Sequence, residues 1–405
     1  MGSRNHAIRR DIRRDQPLTD RDAGDDNPSC RGFSISDPRP LSGIRVCYFG
    51  RYDPSNPRNS LIITSLARAG AEVISIRDDR GLVRRTPALL WRALQSEFDV
   101  LIVGFRAHSD VLLAALVSRL RGVPLIFDPL TSRYEERVVD RQQVPPRSLL
   151  AWWYRTSDAV GCRAADRVIL ETGAQMQYFQ ETFGIPAAKC RRLWLGSDDE
   201  IMHPRETRRD DERFTVFFYG RFSPLHGIEH ILEAAKILER RGAPARFLIV
   251  GGGQTYQPMR ALADRLGVST VTFRDPVPYG ELAAMMSAAD VCLGTFGRNA
   301  RARRVIPYKV FDALAVGRPV ITADTPAIRE ALTVGEDVWV CPSGDSEALA
   351  DAIATLARDP GLRRRLAENG HRAFREYFSP EALGRDLAAI ISEIDRSGRA
   401  DSLPR

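Results

Sequence analysis

The sequence is poor in paired cysteines, in lysine and in long apolar runs, and each shortage removes a class of protein. Its six cysteines (Cys30, Cys47, Cys162, Cys190, Cys292 and Cys341) lie far apart with no C-x-x-C. Neither a zinc ribbon nor a disulfide framework is indicated, no metal site is expected, and a reducing cytoplasm is the natural compartment. No apolar run reaches the roughly 18 uncharged residues that a membrane helix requires. The best candidate, near Val111–Phe127, is cut by Arg119 and Arg121. The arginine-rich start has no apolar stretch after it, so no secretory signal is expected there. Helix-turn-helix, zinc-finger and basic-aromatic RNA motifs are also missing. The net charge of +7 and pI near 9.3 therefore point to weak attraction for phosphates or an anionic membrane surface, with no nucleic acid as partner.

What is present suits a globular protein of two domains, at 405 residues and 43% hydrophobic composition. The basic excess sits in the first half, with +5 over residues 41–205 against +1 over residues 206–405. Of 59 cationic side chains only Lys189, Lys236 and Lys309 are lysines, so those positions merit closer inspection than an average arginine.

Residues 1–40 are rich in Arg, Asp, Pro and Gly without apolar periodicity, which predicts a disordered tail. From Ile44 onward short apolar runs alternate with helical stretches: Ile44–Gly50, Glu72–Ile76, Val100–Val103 and Val123–Phe127, with helices near Asn59–Ala69 and Asp110–Arg121. The polar stretch 196–213 interrupts this rhythm, and it restarts with Phe214–Tyr219, Arg246–Val250, Val271–Phe273, Val291–Leu293 and Pro319–Thr322. Such alternation means parallel sheets covered on both faces. The expectation is an α/β protein with a first domain over residues 41–200, a second domain over 201–378 and a final segment over 379–405. Two doubly wound domains in series leave a cleft between the carboxyl ends of their sheets. Ser379, Pro380 and Glu381 open an amphipathic helix carrying Leu383, Leu387, Ile390, Ile391 and Ile394, which must dock on something.

Several segments are suited to chemistry. Gly220 and Arg221 end an apolar strand, and a short loop through His226 opens a helix at Gly227, the layout of an anion site; a surface ion pair for Arg221 is the plainer alternative. Gly251, Gly252 and Gly253 follow another strand and permit close approach of a ligand or simply a tight turn. The dinucleotide fingerprint is absent. In the run from Arg304 through Ile306 and Pro307 to Lys309 and Asp312, the last two share a helix face. Lysine in a first turn opposes the helix dipole, which a bound anion would rationalise; a simple Lys309–Asp312 pair is the other reading. Gly50, Arg51, Asp53 and Asn59 lie on the loop and helix start after the first strand, at the cleft edge. Asp128 ends the fourth strand, either facing a substrate hydroxyl or serving as a turn residue. The segment Ser148–Arg155, with Trp152 and Trp153, reads as a core helix or as a contact with a membrane surface.

Taken together these residues resemble a glycosyltransferase of family 4 with the GT-B fold, over about Gly43 to Ile394. The likeness is carried by Tyr219-Gly220-Arg221 to His226-Gly227, Leu248 to Gly253, Ala289-Asp290-Val291, Val305-Ile306-Pro307 to Asp312-Ala313-Leu314-Ala315 with Gly317 to Ile321, and Ile328-Arg329-Glu330. The resemblance implies two Rossmann-like domains facing across a cleft and a last helix crossing back to the first. It further implies retaining transfer of a sugar from a nucleotide diphosphate sugar to a sugar or lipid-linked acceptor, with no metal or other cofactor. Such an enzyme would act in cell-surface polysaccharide or glycoconjugate synthesis and touch the inner membrane peripherally.

Position by position, Arg221 matches the diphosphate-binding arginine, and Asp312 stands where the second glutamate of the E-x7-E motif holds the ribose. His226 replaces the usual second diphosphate lysine, and Arg304 replaces the first glutamate of the motif. Lys309 is expected to take over the lysine role, in an I-P-x-K variant similar to a subgroup of the family. Gly220, Gly251, Gly252, Ile306, Pro307 and Glu330 complete the implied donor side, and Asp128 matches the strand end where many members carry a histidine near the sugar. The rivals are a degenerate nucleotide-sugar-binding partner, prompted by Arg304 and His226, and a nucleotide-sugar epimerase, for which Asp128 is the main support.

Overall fold

The computed structural model describes residues 39–206, 213–243 and 245–400, with side chains as far as Ile394. The tail expected over residues 1–40 lies, save its last two residues, outside this range, as do 207–212 of the polar stretch and the last five residues.

The first sheet contains β1 (Arg45–Gly50), β2 (Glu72–Arg77), β3 (Val100–Val103), β4 (Leu125–Phe127), β5 (Arg167–Leu170) and β6 (Cys190–Arg192). The second contains β7 (Phe214–Tyr219), β8 (Ala245–Val250), β9 (Val271–Arg274), β10 (Val291–Leu293), β11 (Val320–Ala323) and β12 (Trp339–Cys341). Their orders are β2-β1-β3-β4-β5-β6 and β12-β11-β10-β7-β8-β9, parallel throughout. Parallel strands need crossover helices. In the first half these are α1 (Pro57–Arg68), α2 (Leu82–Gln95), α3 (Val111–Arg121), α4 (Leu149–Ala164) and α5 (Gly173–Phe183). The second half has α6 (Ile228–Arg240), α7 (Tyr256–Leu266), α8 (Tyr279–Ala288), α9 (Tyr308–Ala315), α10 (Pro326–Ala331), α11 (Ser346–Arg358) and α12 (Pro360–Ala373). The chain closes on α13 (Pro380–Ala400).

Local sequence explains the element ends that matter most for the site. The Asn56 side chain caps α1 by accepting from the Arg58 amide at 3.0 Å, with Pro57 in the first helical turn. Thr172 caps α5 in the same way, accepting from Gln175 N at 3.0 Å. Central strands such as β3 and β7 are apolar on both faces because helices cover both sides.

One continuous apolar cluster joins the halves, running from Leu61 and Ile62 through Trp194 to Phe311, Phe378 and the buried stripe Leu383, Leu387, Ile390 and Ile391 of α13. That stripe docks on α1 of the first half. Gly384 sits so close that a Cβ there would meet the Ser65 carbonyl oxygen at 2.6 Å, and Arg68 clamps Glu381 at 2.6 Å. Arg191 holds Glu393 at 2.5 Å near the other end of the helix. Among the described residues no helix is long and apolar enough to cross a membrane.

Candidate active site

The carboxyl ends of the two sheets face one another across a cavity of about 850 Å³. Its second-half wall is made of backbone and cations. Gly220 leaves β7 with φ 150° and Gly251 leaves β8 with φ 141°, the two so close that a Cβ on Gly251 would stand 2.0 Å from the Gly220 carbonyl oxygen. No side chain fits there, so the β7 and β8 loops present bare backbone. Gly220, Arg221, His226, Gly252 and Gly253 line the cavity, with the Arg221 side chain exposed; Gly251 supports this surface from behind.

Lys309, the second residue of α9, also lines the cavity and is 5% exposed. Its Nζ lies 5.0 Å from the centre of the Phe218 ring, and no carboxylate comes within ion-pair distance of it among the described residues. Burial pulls its pKa down to about 7, against the opposing pull of the Asp312 charge. His226 is buried beside it, and burial followed by the Lys309 charge holds its pKa well below the usual histidine value. It is therefore a neutral imidazole, with Nδ1 3.2 Å from the Ser223 hydroxyl.

Four expected site residues stand elsewhere. Asp312 does not reach the cavity: it is fully buried, and its carboxylate accepts from Ser197 Oγ at 2.5 Å, from the Tyr279 hydroxyl at 2.7 Å and from the Tyr219 hydroxyl. Three donors hold it in the interior, and no part of it lines the cavity where a ribose would lie. Burial nevertheless raises its pKa to about 6. Asp128 is likewise sealed off, paired with the fully buried Arg58 at 2.8 Å and accepting from Leu130 N at 3.2 Å. That second bond holds Leu130 at φ 54°, a left-handed conformation uncommon without glycine, on the cavity lip. Arg304 turns from the cavity to the Glu135 carboxylate and lies 4.1 Å over the Tyr178 ring. Glu330 caps α5, accepting from Gly173 N at 2.8 Å, and pairs with Arg192 at 2.8 Å.

Gly50, Arg51, Asp53 and Asn59, expected on the acceptor side, are not on the cavity wall either. Gly50 packs where a Cβ would meet Ala107 Cβ at 2.8 Å, and Arg51 N donates to Asp110 at 2.8 Å. Asp53 accepts from Ser55 N at 2.9 Å, and Asn59 is fully buried, accepting from the Tyr48 hydroxyl at 2.8 Å. These residues shape the loop between β1 and α1, and none of them lines the cavity.

In their place the first half contributes Glu171, Asp140 and Leu195. Glu171 follows the last residue of β5 and is 2% exposed; its Oε1 accepts from Ile306 N at 2.7 Å, across the gap between the halves. Burial raises its pKa to about 8, so near neutral pH this carboxyl is largely protonated and can both donate and accept. Asp140 ties the halves together, accepting from Asn299 Nδ2 at 2.9 Å and Arg301 Nη1 at 2.8 Å. The signal for Glu171 was available: a carboxylate directly after an apolar strand, followed by Thr172 and Gly173 as a helix start. Among the described residues no group of three or more His, Cys, Asp or Glu side chains is arranged to hold a metal.

Two doubly wound parallel sheets that bring glycine loops and a basic wall to a shared cleft have the GT-B architecture. The comparisons agree. The family model described as Glycosyl transferase 4-like domain matches residues 42–196, and that described as Glycosyl transferases group 1 matches residues 199–373. The chain belongs to the group 1 glycosyltransferases and is a glycosyl-transferring enzyme.

Among curated proteins it is 28% identical over 306 residues to alpha-D-kanosaminyltransferase of Streptomyces kanamyceticus, covering 69% of this chain and 73% of that one. It is 29% identical over 324 residues to the GDP-mannose-dependent alpha-(1-6)-phosphatidylinositol monomannoside mannosyltransferase of Mycobacterium tuberculosis, covering 76% and 79%. Several other curated relatives match over about half of their own length. Among solved structures, Anabaena HepE in complex with UDP and glucose superposes with a TM-score of 0.64 at 16% identity, over 86% of this chain and 100% of that one, a likeness of fold.

Proposed function

We propose that the protein moves a sugar from a nucleotide diphosphate sugar to an acceptor hydroxyl with retention of configuration, in the assembly of a cell-surface polysaccharide or glycoconjugate at the cytoplasmic side of the membrane. The observation that carries this reading is the basic wall of the cavity. Exposed Arg221, buried and unpaired Lys309, neutral His226 and the side-chain-free loops at Gly220 and Gly252 converge on a space large enough for a nucleotide sugar. A diphosphate bound there supplies the counter-charge that Lys309 lacks. As the glycosidic bond to the leaving diphosphate breaks, negative charge grows on its oxygens, and fixed cations stabilise that charge more than they stabilise the intact donor. His226, uncharged, contributes a hydrogen bond rather than a second charge. No residue is needed as base if the leaving phosphate oxygen takes the acceptor proton on the same face.

Glu171 faces these groups from the first half. With Arg304 turned away, it is the carboxyl placed to bond a sugar hydroxyl. The acceptor approaches from the first-half side, and a lipid-linked sugar suits the surface described below.

Calorimetric titration with UDP, GDP, TDP and ADP tests the donor site. Tight binding of one nucleotide, weakened about 10- to 100-fold in Arg221→Ala and in Lys309→Ala, is expected for charge-assisted contacts to phosphate. Absence of binding to all four would sink the donor-site assignment. Binding without turnover of the matching sugar donor, whatever acceptor extract is supplied, would instead favour a degenerate nucleotide-sugar-binding partner.

A further inference from the structure

The first half wears an unusual outer layer. α3 exposes Leu112, Leu116 and Leu120 at spacings of four, a complete helical stripe of leucine facing outward. Its neighbour α2 exposes Val83 at 87% and Trp91 at 64%. On its other side α4 exposes Leu149 at 89%, with Trp153 and Val160 on the same stripe. Apart from Val139 and Tyr377, every large apolar side chain exposed among the described residues lies on these three adjacent helices. Scattered surface leucines need no explanation, but a contiguous apolar face does.

The charges of this layer have one sign. Across α2, α3 and α4 the acidic side chain present is Asp158, which is 2% exposed and paired with Arg133. Arg84, Arg119, Arg155 and Arg163 are exposed on the same helices, and none forms an ion pair with a carboxylate among the described residues. Tryptophan and leucine beside arginines that have no carboxylate partner among the described residues, Arg155 and Arg163 donating to the Thr182 and Phe183 carbonyls, suit the boundary between lipid headgroups and acyl chains. A protein partner would be expected to bury such a face with acidic residues of its own; an anionic bilayer supplies both halves of the match at once. The rest of the molecule is the control: the helices around the second sheet expose no comparable residue, and α13 covers the opposite face of the first sheet.

The layer also leads to the cavity. Arg141 and Gln143 line the cavity rim, and the chain runs from them through exposed Arg147 directly into Leu149 at the start of α4.

We infer that the outer faces of α2, α3 and α4 form a docking surface for an anionic lipid bilayer, which sets the cavity mouth beside the membrane. This deepens the acceptor side of the function proposed above, and it places on three helices what the sequence suggested for Ser148–Arg155 alone.

The test is co-sedimentation of the full chain with vesicles of phosphatidylcholine alone or mixed with phosphatidylglycerol. The wild type is expected to pellet with the anionic vesicles and to dissociate as salt rises. Leu116→Glu with Trp153→Glu should lower the partition coefficient tenfold or more, by placing carboxylates in the apolar stripe. Arg119→Gln with Arg155→Gln should lower it about tenfold on anionic vesicles while leaving neutral ones unaffected. Thermal melting and the nucleotide titration are run on each variant, so a folding failure or an absent donor site is read separately from lipid binding. Wild-type protein that stays in the supernatant with both vesicle types overturns the inference, as does equal binding by wild type and variants. A wild-type dimer in sedimentation velocity without lipid, lost in Leu116→Glu with Trp153→Glu, overturns it in favour of a second copy of the chain.

Discussion

Arg58 and Lys309 occupy matching places in the two halves. Each is the second residue of a helix, each is buried, and each lies near the carboxyl edge of its sheet. Arg58 is neutralised: Asp128 stands at 2.8 Å, the Trp194 carbonyl accepts at 2.7 Å, and nothing of the pair reaches the cavity. Among the described residues Lys309 has no ion-pair partner, and it forms part of the cavity wall. A buried charge with its counter-charge in place holds structure together, whereas one without is stabilised only when a ligand arrives. The site is therefore divided: the second half offers cations for an anion, while the first offers one largely protonated carboxyl and an outward surface.

The largest effect should come from breaking the closed pair. Asp128→Ala strands the Arg58 guanidinium in the interior and is expected to cost about 3–5 kcal/mol in urea denaturation, with the nucleotide dissociation constant little changed. Were stability untouched and turnover lost instead, Asp128 would have to reach the sugar after all.

Lys309→Met should do the reverse, weakening nucleotide binding while stabilising the apo protein by about 1–3 kcal/mol at pH 7. The pH dependence follows from the pKa held down at about 7 against 10.5 unfolded. Between these values the unfolded chain binds the extra proton, so wild-type stability rises with pH and the gap to the methionine variant closes towards pH 10. A gap that stays constant from pH 7 to 10 would mean that Lys309 keeps its proton when folded.

Glu171→Gln is the gentlest change and has the opposite slope. With its pKa raised to about 8, the folded protein holds a proton that the unfolded chain loses near pH 4.5. Its favourable contribution is complete below pH 4.5 and is lost as pH rises to 8, so glutamine should be nearly neutral at pH 5 and more stabilising by about 1–3 kcal/mol at pH 8.5. Turnover should fall with little change in nucleotide affinity. Loss of nucleotide binding in this variant would move Glu171 to the donor side and blur the contrast between the halves.

Much of this was legible from local patterns. Short apolar runs separated by helical stretches gave strands such as Val291–Leu293 at their observed limits, and the stripe from Leu383 to Ile394 announced a docking helix. Gly220 and Gly251 stood out because few other residues can adopt their backbone angles. The fate of the carboxylates was not legible. Asp312 is turned inward by Tyr219, Tyr279 and Ser197, which come from three distant stretches of chain, and Arg304 is drawn aside by Glu135. Spacing along one helix cannot report partners that arrive from elsewhere.

The sequence by itself determined two doubly wound halves, a cleft at their carboxyl ends and the glycine-and-cation loops of the second half, because periodicity, turn chemistry and strand ends are local properties of the chain. Only the tertiary structure decided which buried charges find partners, that Glu171 meets the Ile306 amide across the cleft, and that the leucines of α3 join the tryptophans of α2 and α4 in one outward face. Those outcomes depend on distances between residues remote in sequence, because a buried charge always costs desolvation and is offset only where a partner comes close enough.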